Sequence, residues 1–175
     1  MDQSDPPAID ALIAALPETA GSALYGMVDV LAATGTLWRQ LVGDHPGASL
    51  IRPRIVGVSR EPFRCGNGIP VAPDLSIDED PAADIVILPE LWLAPDDDMK
   101  GRYPELLEWI RRRHRAGSTI YSACSGAVLL AATASWTGAR RRRTGATRTC
   151  SAADFLTCAS APSRTWCSRI APAGS

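Results

Sequence analysis

Apolar runs separated by polar and turn-forming segments divide this chain into alternating strands and helices. Ile9 to Leu16 is a compact apolar run closed by Pro17, which predicts a strand buried on both faces. From Ala23 to Leu41 apolar residues recur at helical spacing: Leu24, Met27, Val28 and Leu31, then Leu37, Trp38 and Leu41. Gly35 marks a break between two helical pieces. Arg54 to Ser59 reads as a second strand with Ile55 to Val58 as its core. Phe63 to Pro73 is turn-rich, with a short edge pairing around Ile69 to Ala72. Asp84 to Pro89 is an apolar strand stopped by proline, and Pro95 to Gly101 is a solvated acidic loop. Arg102 to Ala116 predicts a helix with Tyr103, Leu106, Leu107 and Ile110 inward, a cationic last turn and Gly117 as its stop. Ser118 to Ala123 is a strand that turns through Cys124-Ser125-Gly126 into a helix of Ala, Val and Leu.

Such alternation implies a mostly parallel sheet covered by helices on both sides. In such sheets the functional crevice lies at the C-terminal strand edge, where Glu18, Glu90 and Cys124 gather. A strand that turns abruptly into a helix holds its corner side chain on a strained, exposed elbow. The helix dipole there favours thiolate over thiol. Cys124 is therefore a candidate nucleophile or sensing thiol; the alternative is a small buried residue packing a strand–helix corner.

Composition narrows the class. The 175 residues suffice for one domain with a real core, and 46% apolar with 21% charged residues is ordinary for a globular protein. No apolar run reaches membrane-spanning length, and the acidic start Met1 to Pro7 is unlike a signal peptide, so a cytoplasmic location is expected. Five cysteines without paired spacing make neither a disulfide framework nor a zinc site. No metal and no cofactor is expected, and the lack of a Gly-rich phosphate loop argues against a nucleotide site. His45 and His114 sit in polar surroundings as surface residues. The net charge of −1 hides a split: residues 1–133 carry 11 Lys and Arg against 18 acids, whereas residues 134–175 carry seven Arg against Asp154 alone.

The elbow Ser122 to Ala131 resembles the Cys-Thr/Ser-Gly elbow of the ThiJ/PfpI superfamily, the class I glutamine amidotransferase-like fold. More narrowly, the chain looks like the N-terminal domain of AraC-type transcriptional regulators that carry such a domain. The matching pieces are Leu16 to Thr19, Leu24 to Leu31, Ser59 to Phe63, Ala83 to Pro89 and the elbow, in the family's order through residues 8–133. The resemblance implies an α/β flavodoxin-like three-layer sandwich with a mostly parallel sheet, here incomplete at the C-terminus. It also implies a sensor or dimerisation role in transcription control, with a small-molecule effector and a homodimer as partners. DNA would be met only through a helix-turn-helix domain absent from this chain. Within that resemblance Ser125, Gly126 and Glu90 are candidate ligand-binding residues beside Cys124.

Departures from the family pattern bear on catalysis. Isonitrile hydratase-like relatives place an Asp where this chain has Ala23, and other members follow the elbow Cys with a His where this chain has Ser125. A thiolate nucleophile needs a proton-transfer partner, and of the usual ones Glu18 is left. Glu18 is either an acidic neighbour of Cys124 or a cap on the first helix. Two function classes stand: a non-catalytic regulatory module, and a ThiJ/PfpI-type cysteine enzyme (hydratase, hydrolase or amidotransferase-like) using Cys124. Cys65 reads as a loop thiol and Asp96 to Asp98 as a solvated acidic run that could attract a cation. Trp38, Trp92 and Trp109 read as core or rim aromatics.

The resemblance stops at Thr133, and the genetic code suggests why. Reading the third base of each codon with the first two of the next, Trp136-Thr137 must yield Asp and Ser135-Trp136 must yield Leu, Met or Val. Permissive codons from Arg143 onward yield His-Trp-Gly-Tyr-Glu-Asp-Leu-Phe, the type of segment the family has there. One base lost in a Gly codon at position 134 accounts for the shift. Residues 134–175 are therefore expected to be an out-of-frame, disordered tail; the rival is a basic tail that binds nucleic acid.

Overall fold

The protein is described here from a computed structural model, which defines residues 8–43, 48–94, 97, 99, 101–133 and 167–170. Strand β1 (Ile9–Ala14) lies between two parallel neighbours, β2 (Ile51–Gly57) and β6 (Ile85–Leu88). Its Ala11, Leu12 and Ile13 are wholly buried, as an unbroken apolar run in the middle of a parallel sheet requires. The sheet extends outward through β7 (Thr119–Ala123) on the β6 side and the two-residue β5 (Leu75–Ser76) on the β2 side, both parallel to their neighbours. A hairpin of β3 (Phe63–Cys65) and β4 (Ile69–Val71) stands apart from the main sheet.

Helices complete the layers. The apolar stretch expected to break at Gly35 does so: α1 (Gly21–Ala32) and α2 (Leu37–Leu41) flank Gly35, whose φ of +85° suits a residue without Cβ. Met27, Val28 and Leu31 of α1 pack with Ile13, Leu24, Ile55, Cys65 and Val71 on one face of the sheet. On the other face α3 (Pro104–Arg115) and α4 (Ala127–Ala132) pack Leu106, Trp109, Ile110, Leu129 and Leu130 against Leu12, Val86, Leu88 and Ile120. The arrangement is an α/β three-layer sandwich with five mutually parallel strands, as the alternation of elements implies.

Two findings differ from the sequence reading. Strand β5 falls in a segment that periodicity leaves irregular, because two residues are too short to show a period. Cys167–Ile170, expected within an unstructured tail, forms strand β8, antiparallel to β7. The outer edge of β7 has main-chain groups that any extended segment can satisfy. The rest of that tail, residues 134–166 and 171–175, lies outside the described residues, as do His45, Asp96 and Asp98.

One face is incompletely covered. On β6 and β7, Val86, Leu88, Ile120 and Ser122 are buried under α3 and α4, whereas Ile85, Ile87, Tyr121 and Ala123 are only half-buried. Beside them α1 contributes Ala23, Gly26, Met27 and Val30 to an open apolar groove of about 710 Å³. Among the described residues no helix fills it. None of the described helices is long and apolar enough to cross a membrane.

Candidate functional site

Glu18, Glu90 and Cys124 follow β1, β6 and β7, so three parallel strands deliver them to one edge of the sheet. Main-chain bonds draw these segments together. The Ala20 amide donates to the Glu90 carbonyl at 2.9 Å, and the Trp92 amide donates to the Glu18 carbonyl at 2.6 Å. Between them Thr19 and Leu91 form an antiparallel bridge. Thr19 is wholly buried, and its Oγ1 accepts from the Leu16 amide at 2.9 Å, closing the turn after β1.

Cys124 is the elbow. Its φ is +49°, a left-handed backbone that costs a non-glycine residue about 1–3 kcal/mol unless the surroundings enforce it. Residues Cys124–Gly126 form a 3-10 turn between β7 and α4, and the thiol is exposed. No hydrogen bond or ion pair reaches it among the described residues. The next two positions hold the turn in place. Ser125 Oγ accepts from the Leu91 amide at 2.9 Å and donates to the Leu91 carbonyl at 2.6 Å. At Gly126 a Cβ would stand 2.3 Å from the carbonyl oxygens of both Leu88 and Pro89, so only glycine lets the elbow sit this close to the end of β6.

The acid carried by the sequence argument has partners of its own. The Glu18 carboxylate accepts from the Arg102 guanidinium and from the Tyr103 hydroxyl, at 2.8 Å to Oε2. It does not cap α1, whose N-cap Ala20 has no side-chain hydrogen bond. Arg102 also faces Asp97 at 3.8 Å, so a small charge network ties the 97–103 loop to the turn after β1. Burial, reinforced by the hydrogen bond to the Glu18 carboxylate, pushes the Tyr103 phenol up to about 12. Glu90 is half-buried, and its carboxylate has no hydrogen-bond or ion-pair partner among the described residues.

Other candidates fall elsewhere. Cys65 is buried on the hairpin, close to where a side chain on Gly21 would stand, and burial pushes its thiol up from the ordinary range. Trp109 is wholly buried, whereas Trp92 is 47% exposed at the rim beside Gly66. Among the described residues no group of three or more His, Cys, Asp or Glu could hold a metal ion. Sequence reasoning missed Arg102 and Tyr103 as partners of Glu18. Nothing local marks a contact across 84 positions.

No protein-family model matches the chain, and no curated protein matches it. Solved structures do. A thiJ/pfpI family protein from Bacillus anthracis superposes with a TM-score of 0.60 at 13% identity, over 89% of this chain and 66% of that one. DJ-1beta of Drosophila melanogaster gives 0.52 at 17% identity, over 73% and 61%. An AraC family transcriptional regulator from Pseudomonas putida gives 0.50 at 13% identity, over 87% of each chain. The chain thus spans less than two thirds of the first two of these structures. At these identities the likeness speaks for architecture alone: the three-layer sandwich is the fold that this chain shares with these DJ-1 and thiJ/pfpI family structures.

Proposed function

We propose that residues 1–133 are the N-terminal sensor and dimerisation domain of an AraC-type transcriptional regulator, acting without catalysis in the cytoplasm. The observation that carries this reading is the engagement of Glu18 by Arg102 and Tyr103. A cysteine nucleophile needs a base to take its proton and an acid to return one. With Glu18 held by a cation and a phenol, and with Ala23 and Ser125 where relatives carry Asp or His, the Cys124 thiol lacks the partners those relatives carry at these positions. The solved AraC family regulator of the same fold supports the regulatory half of the reading. Glu90, half-buried and without a side-chain partner among the described residues, offers a polar handle for a small effector.

The test is turnover. Purified protein is assayed against amides, isonitriles and glyoxals, with Cys124→Ala as the blank. No Cys124-dependent product is expected. Product formation that disappears in Cys124→Ala would establish the cysteine enzyme instead.

We further propose that the reading frame is shifted after Thr133 and that the native regulator continues into a DNA-binding helix-turn-helix. The charge inversion at this point supports it, as does the apolar groove, since a parallel sheet ordinarily has helices over both faces. Resequencing codons 130–140 and about 500 bases beyond decides the matter (a span that holds a domain of the usual 100–150 residues). A restored base should open a frame through His-Trp-Gly-Tyr to a helix-turn-helix. An early stop in that frame sinks the proposal.

A further inference from the structure

A left-handed backbone at a cysteine needs something to hold it there, and at Cys124 the carbonyl accepts from the Ala127 amide while the thiol has no hydrogen-bond partner among the described residues. Gly126 supplies closeness: with no Cβ, it lets the turn abut the Leu88 and Pro89 carbonyls. Closeness does not fix orientation. Directional bonds do: the Ala127 amide closes the turn on itself, and the Ser125 hydroxyl ties it to the neighbouring segment by engaging both main-chain polar groups of Leu91.

We infer that Ser125 is the positioning residue of the elbow, clamping the turn to Leu91 and so keeping Cys124 in its left-handed, exposed conformation. A hydroxyl has a single proton to donate, and that proton goes to the Leu91 carbonyl. Ser125 therefore cannot donate to a ligand without releasing the clamp, although its second lone pair is still able to accept.

Leu91 is well placed to bear this load. Its side chain is buried, it bridges to Thr19, and its neighbours Glu90 and Trp92 bond to Ala20 and Glu18. The turn after β1, the segment after β6 and the elbow after β7 thus meet at Leu91. Any displacement of Leu91 reaches Cys124 through Ser125.

The inference concerns the geometry of the thiol and holds whether Cys124 meets an effector or a substrate. Its test reads iodoacetamide alkylation of Cys124, resolved by peptide mass spectrometry in the full chain. Ser125→Val and Ser125→Thr have the same shape and differ in the hydroxyl. Ser125→Thr should keep the wild-type rate, and Ser125→Val should slow it about fivefold, the change expected for losing one net hydrogen bond. Ser76→Ala, which removes a hydroxyl bonded to the Val58 carbonyl far along the sheet edge, should leave the rate unchanged. Equal rates in the Thr and Val variants would overturn the inference. Where the Val variant does not fold, amide exchange in the unaltered chain decides: Leu91 should be protected like the strands, and fast exchange there would overturn the clamp.

Discussion

At the residue scale, the chemistry at the strand edge is set by who holds whom. Glu18 is an acid within a parallel-sheet crevice, yet Arg102 neutralises it and Tyr103 donates to it. Tyr103 in turn is buried enough that its proton is held to about pH 12. Because the folded state keeps that proton more tightly than the unfolded chain does, the stabilisation is complete below pH 10. It is lost as pH rises from 10 towards 12. An ultraviolet titration should show a tyrosinate component near pH 12 that vanishes in Tyr103→Phe. If the variant keeps that component, the assignment fails.

At the element scale, short motifs secure the pieces that periodicity alone would leave loose. After β5, Ser76 and Glu79 form a reciprocal capping box around the 3-10 turn Ile77–Glu79. Arg60 forks onto the same carboxylate at 2.5 and 2.6 Å, and its hydrogen bonds hold Glu79 down to about 2. A depressed carboxyl contributes stability above its ordinary titration range. That contribution fades as pH falls through 4.5 towards 2. Both groups are exposed, so the effect is small and screened by salt. Carboxyl NMR should find Glu79 ionised at pH 3, and Arg60→Ala should move its titration up towards the ordinary range. An unchanged midpoint in the variant would exclude the Arg60 pair as the cause.

At the scale of the whole molecule, among the described residues the sheet is covered on the α3–α4 side and only half-covered beside α1. Ile87, Tyr121, Met27 and Val30 line an apolar groove, and Val30 is 71% exposed. Exposed apolar surface of this kind attracts hydrophobic dyes and neighbouring molecules. The full chain should therefore enhance 1-anilinonaphthalene-8-sulfonate fluorescence, and Val30→Glu should reduce it without changing the fold. A chain expressed from a base-restored gene should lose the enhancement. Weak dye binding by the unaltered chain would mean that the groove is already filled.

Much of the architecture was legible along the chain. Apolar runs at Ile9 to Leu16 and Asp84 to Pro89 could satisfy themselves only inside a parallel sheet, and they did. The helical stripe from Leu24 to Leu31, the break at Gly35 and the turn at Cys124-Ser125-Gly126 are likewise local patterns, written within a dozen residues. The two-residue β5 was not legible, because a period needs more residues than that to appear. Nor were the partners of the site residues. Glu18 meets Arg102 and Tyr103 across 84 and 85 positions, and Ser125 meets Leu91 across 34. The sequence by itself determined which segments form strands, helices and the elbow, since steric preference and burial period act on neighbouring residues. Tertiary packing alone decided, among the described residues, which acid is paired, which hydroxyl clamps the elbow and which face is only half-covered, since those depend on side chains brought together from distant parts of the chain.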